Sequence, residues 1–236
     1  MIFAGILAGG TGSRMENAVM PKQFLRVAGV PIFIRTLSTF LSVEKIDKAV
    51  VSMNMDWKDK YFELIDEFGI DKDKVILVPG GDTRFLSLRN IVKGAYDCCP
   101  DGSSVIVTHD CARLFVTAEI IENNIKALEK FRIATTSLPV IDTVIASDDG
   151  ESIADVPVRS RLWNDQGPQS FYCEEFLRYA DKLTEEETAA LIEAGALYLK
   201  NNIKVGIVPG SRYNFKVTND FDLKYSEFLI REGYVK

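Results

Sequence analysis

The segment best suited to chemistry lies near the start of the chain. Leu7-Ala8-Gly9-Gly10-Thr11-Gly12-Ser13-Arg14-Met15 follows an apolar run, and Pro21-Lys22-Gln23-Phe24 comes soon after. Glycines in such a turn let the backbone bend sharply and bring N–H groups against a ligand, and triphosphate oxygens suit that nest. Arg14 and Lys22 add a planar and a mobile cation where negative charge would collect. The dinucleotide fingerprint would need glycine where Met15 stands, and a P-loop ending in Gly-Lys-Ser/Thr is absent. The glycines alone would serve a plain tight turn equally well. The two cations move the reading toward nucleotide phosphates.

Other stretches could complete such a site. Gly80-Gly81-Asp82-Thr83-Arg84-Phe85-Leu86-Ser87 is a second glycine loop behind a second apolar run. Asp110 ends a third, and a carboxylate there calls for a partner; Mg²⁺, which takes one or two carboxylates plus phosphate oxygens, is a fitting one. His109 is the only histidine, yet a lone histidine at a strand end is more often structural than a general base. Arg159 and Lys216 are distant in sequence but are available for a second phosphate, whereas Arg161 reads as a solvated surface arginine.

The elements that must position these residues follow from periodicity. Residues 2–8, 48–53, 74–78, 104–108 and 204–208 read as strands buried on both faces, as a parallel sheet requires. Helical patterns lie between them. One starts at Pro31 and carries Leu37, Phe40 and Leu41. A second carries Tyr61, Leu64, Ile65 and Phe68 and stops at Gly69. A third follows Thr117 with Ile121, Ile125 and Leu128 facing inward. Such alternation predicts an α/β, doubly wound, mostly parallel sheet. Residues 142–156 depart from the rhythm and read as a β-hairpin closed on Asp148-Asp149-Gly150. The chain, 1–236, is therefore expected to be one domain with a projecting arm.

Composition bounds the rest. A hydrophobic share of 47% supports a sizeable core, and 28 Lys+Arg against 34 Asp+Glu, a net charge of −6, argues against a nucleic-acid footprint. No run of 18 apolar residues exists to span a membrane, and the apolar start lacks a basic leader. Cys98, Cys99, Cys111 and Cys173 show no zinc-like spacing and read as reduced thiols of a cytoplasmic protein.

Taken together, LAGGTGSRM with PKQFL resembles the opening of the sugar-nucleotide pyrophosphorylase superfamily. Within it the chain is similar to the cytidylyltransferases that act on ribitol 5-phosphate or 2-C-methyl-D-erythritol 4-phosphate. The likeness continues at 80–87, at Val107 to Arg113, at Arg159 to Phe171, and at Asn214-Phe215-Lys216-Val217-Thr218 with Asp222-Leu223. It implies a nucleotidyltransferase fold, CTP and a small polyol phosphate as substrates, and Mg²⁺ held by Asp110. It also implies catalytic roles for Arg14 and Lys22, and a nucleotide site of Leu7, Ala8, Gly9, Gly10, Gly12, Gly81, Asp82, Ser87 and Cys111, with Arg84 orienting the second loop. Arg159 and Lys216, with Arg113, would hold the acceptor phosphate. The hairpin would be an arm exchanged in a homodimer, with Arg159 acting across it.

The departures fall on the acceptor side. Leu114 stands where relatives have proline, Gly167 replaces a threonine, and Leu191-Ile192-Glu193-Ala194 replaces a Thr-Asp-Asp or Thr-Asp-Ala step that shapes the acceptor pocket. Leu-Ala-Gly-Gly, in place of Ala-Ala-Gly, favours the ribitol branch. Methylerythritol phosphate, another pentitol phosphate, and a CTP sensor that has lost transfer are the alternatives.

Overall fold

The computed structural model describes residues 1–10, 20–100 and 102–235. Nine strands and eight helices are formed among them. In chain order they are β1 (Ile2–Leu7), β2 (Arg26–Val27), β3 (Val30–Pro31), α1 (Ile32–Leu41), β4 (Lys48–Met53), α2 (Lys58–Glu67), β5 (Val75–Pro79), α3 (Arg84–Cys98) and β6 (Val105–Asp110). There follow α4 (Ala118–Ala127), β7 (Ile133–Pro139), β8 (Trp163–Tyr172), α5 (Cys173–Ala180), α6 (Glu185–Ala190), α7 (Ala194–Lys200), β9 (Val205–Pro209) and α8 (Asp220–Arg231).

Seven strands form one sheet in the order β5-β4-β1-β6-β8-β7-β9, and β2 and β3 form a separate small ribbon. The half β5-β4-β1-β6 is parallel throughout, with Leu7 in register with both Ser52 and Asp110. β8 runs antiparallel to both of its neighbours, while β9 is again parallel to β7. The expected mostly parallel α/β sheet is therefore present, and all five anticipated strands lie in it.

β7 and β8 were not anticipated, for a physical reason. β7 is rich in Thr and Ser, and β8 reads WNDQGPQSFY, with a Gly-Pro step that argues against a central strand. The fold accommodates that step where the β7–β8 register shifts, between Thr135 and Ser137.

Helices cover both faces. Ile32, Phe33, Leu37 and Phe40 of α1 pack with Tyr61, Leu64 and Ile65 of α2 and with Ile120 and Ile121 of α4 against one face. Phe85, Leu88, Ile91 and Val92 of α3 pack with Phe176 of α5 and Leu197 and Tyr198 of α7 against the other. These fully buried side chains, each worth about 1.5–3 kcal/mol, clamp the strands whose ends carry the charged residues.

The anticipated hairpin is built mainly at its tip. Asp149 accepts from the Glu151 and Ser152 N–H groups, both at 2.8 Å, and Gly150 takes φ +76°. The ladder beyond is a single antiparallel bridge, Ala146 to Asp155. Ile141, Val144, Ile145, Ile153, Val156 and Val158 are exposed along this segment, so within one chain its apolar side has nothing to pack on.

Candidate active site

The charged residues converge where the strand order reverses. From β1 the chain steps outward to β4 and β5, then returns to β6 on the other side, and open α/β sheets bind ligands at the carboxyl ends of such neighbours. A cavity of about 440 Å³ opens there, walled by the first loop, Lys22 and Gln23, the second loop, Asp110 to Ala112 and Lys216. A further cleft of about 280 Å³ continues past Gly9, Gly81 and Asp82 to Met53, Asn54 and Met55.

The first loop leaves β1 under tight control. The Ala8 N–H donates to Ser52 O at 2.9 Å, while the Ala8 carbonyl accepts from Gln23 Nε2 at 2.9 Å and from the Tyr61 hydroxyl at 3.0 Å. Gln23, buried within the Pro-Lys-Gln step, thus fixes where the loop begins. Gly12 and Arg14, two expected ligands of the phosphates, lie outside the described residues. Leu7, Ala8, Gly9, Gly10 and Lys22 all line the cavity. Lys22 Nζ donates to Val217 O at 2.9 Å, tying the first loop's cation to the C-terminal stretch.

The second loop is held just as closely. Gly81 N–H donates to Ser87 Oγ at 2.9 Å, and a Cβ on Gly81 would stand 2.4 Å from Leu86 Cβ, so glycine is required by close approach. Thr83 caps α3 by accepting from the Leu86 N–H at 3.1 Å. Gly81, Asp82 and Ser87 line the cavity as expected. Cys111 lines it too; burial pushes its thiol up to about 12, so it presents a neutral sulfur and not a nucleophile.

Asp110 is the electrostatic centre. Arg84 Nε and Nη2 reach its Oδ1 at 3.2 and 3.0 Å, Lys216 Nζ reaches Oδ2 at 2.7 Å, and Arg113 Nε lies 3.8 Å from Oδ2. Burial alone would raise its pKa; Arg84, then Lys216 and Arg113, outweigh that and hold the carboxyl well below the usual range. Among the described residues no cluster of three or more His, Cys, Asp or Glu side chains could hold a metal. One ionised carboxylate at the cavity wall nonetheless fits Mg²⁺, which draws its remaining ligands from phosphate oxygens and water.

A small polar cavity lies behind Asp110, lined by Arg84, His109, Arg113, Asp165, Gln166, Gly167, Gln169 and Glu193 among others. His109 is buried, with Nε2 3.1 Å from Arg113 O, and burial pushes its pKa down to about 4, which supports the structural reading over a general base. Gly167 takes φ +61°, a region that disfavours a threonine. Arg113 lines this cavity, not the larger one, and donates to Asn214 O at 3.0 Å. Arg159 touches neither: its Nη1 donates to Ile141 O at 3.0 Å at the base of the arm.

Gln23 and Glu193 had no assigned role in the sequence. Gln23 gave a signal only through its place beside Lys22. Glu193 gave one only as a member of the 191–194 segment set against an acceptor-pocket step. Its link to Arg84, at 2.9 Å, depends on folding.

A family profile described as "IspD: 2-C-methyl-D-erythritol 4-phosphate cytidylyltransferase" matches residues 2–232. The chain belongs to that family. It is thereby a CTP-dependent nucleotidyltransferase.

Similar solved structures agree on the fold. The 4-diphosphocytidyl-2C-methyl-D-erythritol synthase of Anaerococcus prevotii DSM 20548 is 25% identical, with 98% of this chain and 96% of that one covered and a TM-score of 0.79. The 2-C-methyl-D-erythritol 4-phosphate cytidylyltransferase of Francisella tularensis is 21% identical over 96% and 98%, with a TM-score of 0.79. That of Thermus thermophilus is 23% identical over 98% and 100%, with a TM-score of 0.74. The preference for the ribitol branch finds no support among these matches. No described helix of this family member is long and apolar enough to cross a membrane.

Proposed function

We propose that the chain transfers a cytidylyl group from CTP to 2-C-methyl-D-erythritol 4-phosphate and releases pyrophosphate. What carries the reading is one cavity that gathers both glycine loops, Lys22, Asp110 and Lys216 at the carboxyl ends of β1 and β6, in a chain matched to this family over residues 2–232. We assign the base and ribose of CTP to the space between Gly9 and the Gly81-Asp82 loop, and the triphosphate to Gly9, Gly10 and Lys22, with Gly12 and Arg14 carried over from the resemblance. Ser87 shapes that second loop by hydrogen bonding Gly81.

The acceptor phosphate is already ionised near neutral pH, so its oxygen can attack the α-phosphorus in line without a general base. Neutral, buried His109 is consistent with that economy. Lys22 and Arg14 neutralise charge as pyrophosphate departs, so catalysis is positioning plus charge stabilisation. Asp110 would hold Mg²⁺ together with triphosphate oxygens, and the ion would supply further charge neutralisation when bound. Lys216 and Arg113 from one chain, and Arg159 from a partner in a homodimer, would receive the acceptor phosphate.

D-Ribitol 5-phosphate is retained as a second acceptor by one observation, the Leu7-Ala8-Gly9-Gly10 form of the first loop. Pyrophosphate release with CTP, Mg²⁺ and both polyol phosphates is the test. Faster turnover with methylerythritol phosphate is expected, and a higher kcat/KM for ribitol 5-phosphate would reassign the acceptor. Equal thermal stabilisation by ATP, GTP and CTP would remove the cytidylyl assignment.

A further inference from the structure

Asp110 divides its two oxygens between two sides of the site, and what lies behind Arg84 explains how that division is kept. Arg84 is the first residue of α3, directly after the second glycine loop. Its Nε and Nη2 both point at Asp110 Oδ1, while its Nη1 reaches Ile192 O at 2.7 Å and Glu193 Oε2 at 2.9 Å. The guanidinium plane is thereby fixed from both ends. Oδ2 is left to Lys216 Nζ at 2.7 Å, with Arg113 Nε 3.8 Å away, and Asp110 and Lys216 both line the larger cavity. Segment 192–193 is itself anchored, because the Ala194 N–H donates to Gln169 Oε1 at 3.2 Å on β8.

Charge matters as much as direction. Arg84, Arg113 and Lys216 crowd one carboxylate, an excess of positive charge that would repel a divalent ion. Glu193 compensates Arg84 without touching Asp110 in any observed contact.

We propose that Glu193 is a positioning residue that acts through Arg84, aiming Asp110 Oδ2 at the nucleotide's metal and offsetting the guanidinium charge beside it. This rests on reading Asp110 as the metal-side carboxylate. It assigns a role to an acidic residue in the stretch where the chain departs from its relatives. A direct structural part, such as bracing α7 alone, would not require Arg84.

The test uses Glu193→Ala, Glu193→Gln, Arg84→Ala and the Glu193→Ala/Arg84→Ala double variant as full-length proteins at pH 8. Calorimetric CTP binding is titrated with Mg²⁺, and pyrophosphate release is measured alongside it. Glu193→Ala should raise the half-saturating Mg²⁺ for CTP binding about threefold or more and lower kcat about tenfold. Glu193→Gln, whose carboxamide oxygen can still accept from Nη1, should recover most of the kcat while keeping the weaker Mg²⁺ response, since only the charge is lost. In the Arg84→Ala background, Glu193→Ala should add little, because the two act as one unit. Unchanged Mg²⁺ dependence and kcat in Glu193→Ala would overturn the proposal, as would a full additional loss in the double variant. CTP binding that ignores Mg²⁺ in the unmodified protein would fail the metal reading itself, and the proposal with it.

Discussion

The two halves of the sheet differ in kind. The parallel half, β5-β4-β1-β6, is built of short apolar strands, and its glycine loops wall the larger cavity. The half beyond β6 contains the antiparallel β8, a register shift, and a site wall made of long side chains reaching from distant segments. Backbone phosphate recognition demands glycines at fixed places, whereas acceptor recognition can be rebuilt by exchanging side chains.

The strongest way to break that contrast is to attack the nucleotide half at its cation. Lys22→Ala should lower kcat by roughly 10²-fold or more, the scale for losing one preorganised charge stabiliser. Steady-state pyrophosphate release at saturating CTP measures it. A change confined to the KM for CTP would make Lys22 a ground-state binder and weaken the claim that this half performs the chemistry.

The acceptor half is tested by subunit mixing. Lys216→Ala should raise the acceptor KM tenfold or more, and Arg159→Ala should do so while leaving CTP binding nearly intact. If the exposed apolar arm is exchanged between two copies, Arg159 enters the partner's site. Heterodimers of the two variants would then contain one site with both cations and regain part of the activity. A monomer in light scattering, or no recovery after verified exchange, counts against the shared site.

The same contrast decides what could be read from the sequence. Residues 2–8 and 74–78 announce themselves as strands because β-branched and apolar side chains leave little choice, and the glycine loops follow at their ends. β8 was hidden by Gly167 and Pro168, residues that ordinarily interrupt strands. Lys216 and Asp110 lie 106 residues apart, so their 2.7 Å contact is a property of the fold. Gln23 was visible only as a neighbour of Lys22, although its bonds to Ala8 and Tyr61 set the first loop. The resemblance supplied roles for Arg159 and Lys216, but for Glu193 only a place in the 191–194 segment.

The gentlest probe is pH. Burial pushes the Glu193 carboxyl up to about 7 from an ordinary 4.5, against the pull of Arg84 and with Asp110 and Asp165 adding repulsion. Between those values the folded protein holds a proton that the unfolded chain has released. The cost of burying the charge is therefore fully present above pH 7 and is relieved as pH falls toward 4.5, so this group favours the folded state progressively more across that window. Glu193 is only partly buried and solvent screens it, so the effect should be on the order of 1 kcal/mol or less. Urea unfolding of the ligand-free protein at pH 5, 6 and 8, compared with Glu193→Gln, isolates it from the other titrating groups. Stability of the variant relative to the parent should rise with pH. A difference that stays flat from pH 5 to 8 would mean Glu193 ionises normally beside Arg84, leaving the acceptor half without the charge strain that distinguishes it from the nucleotide half.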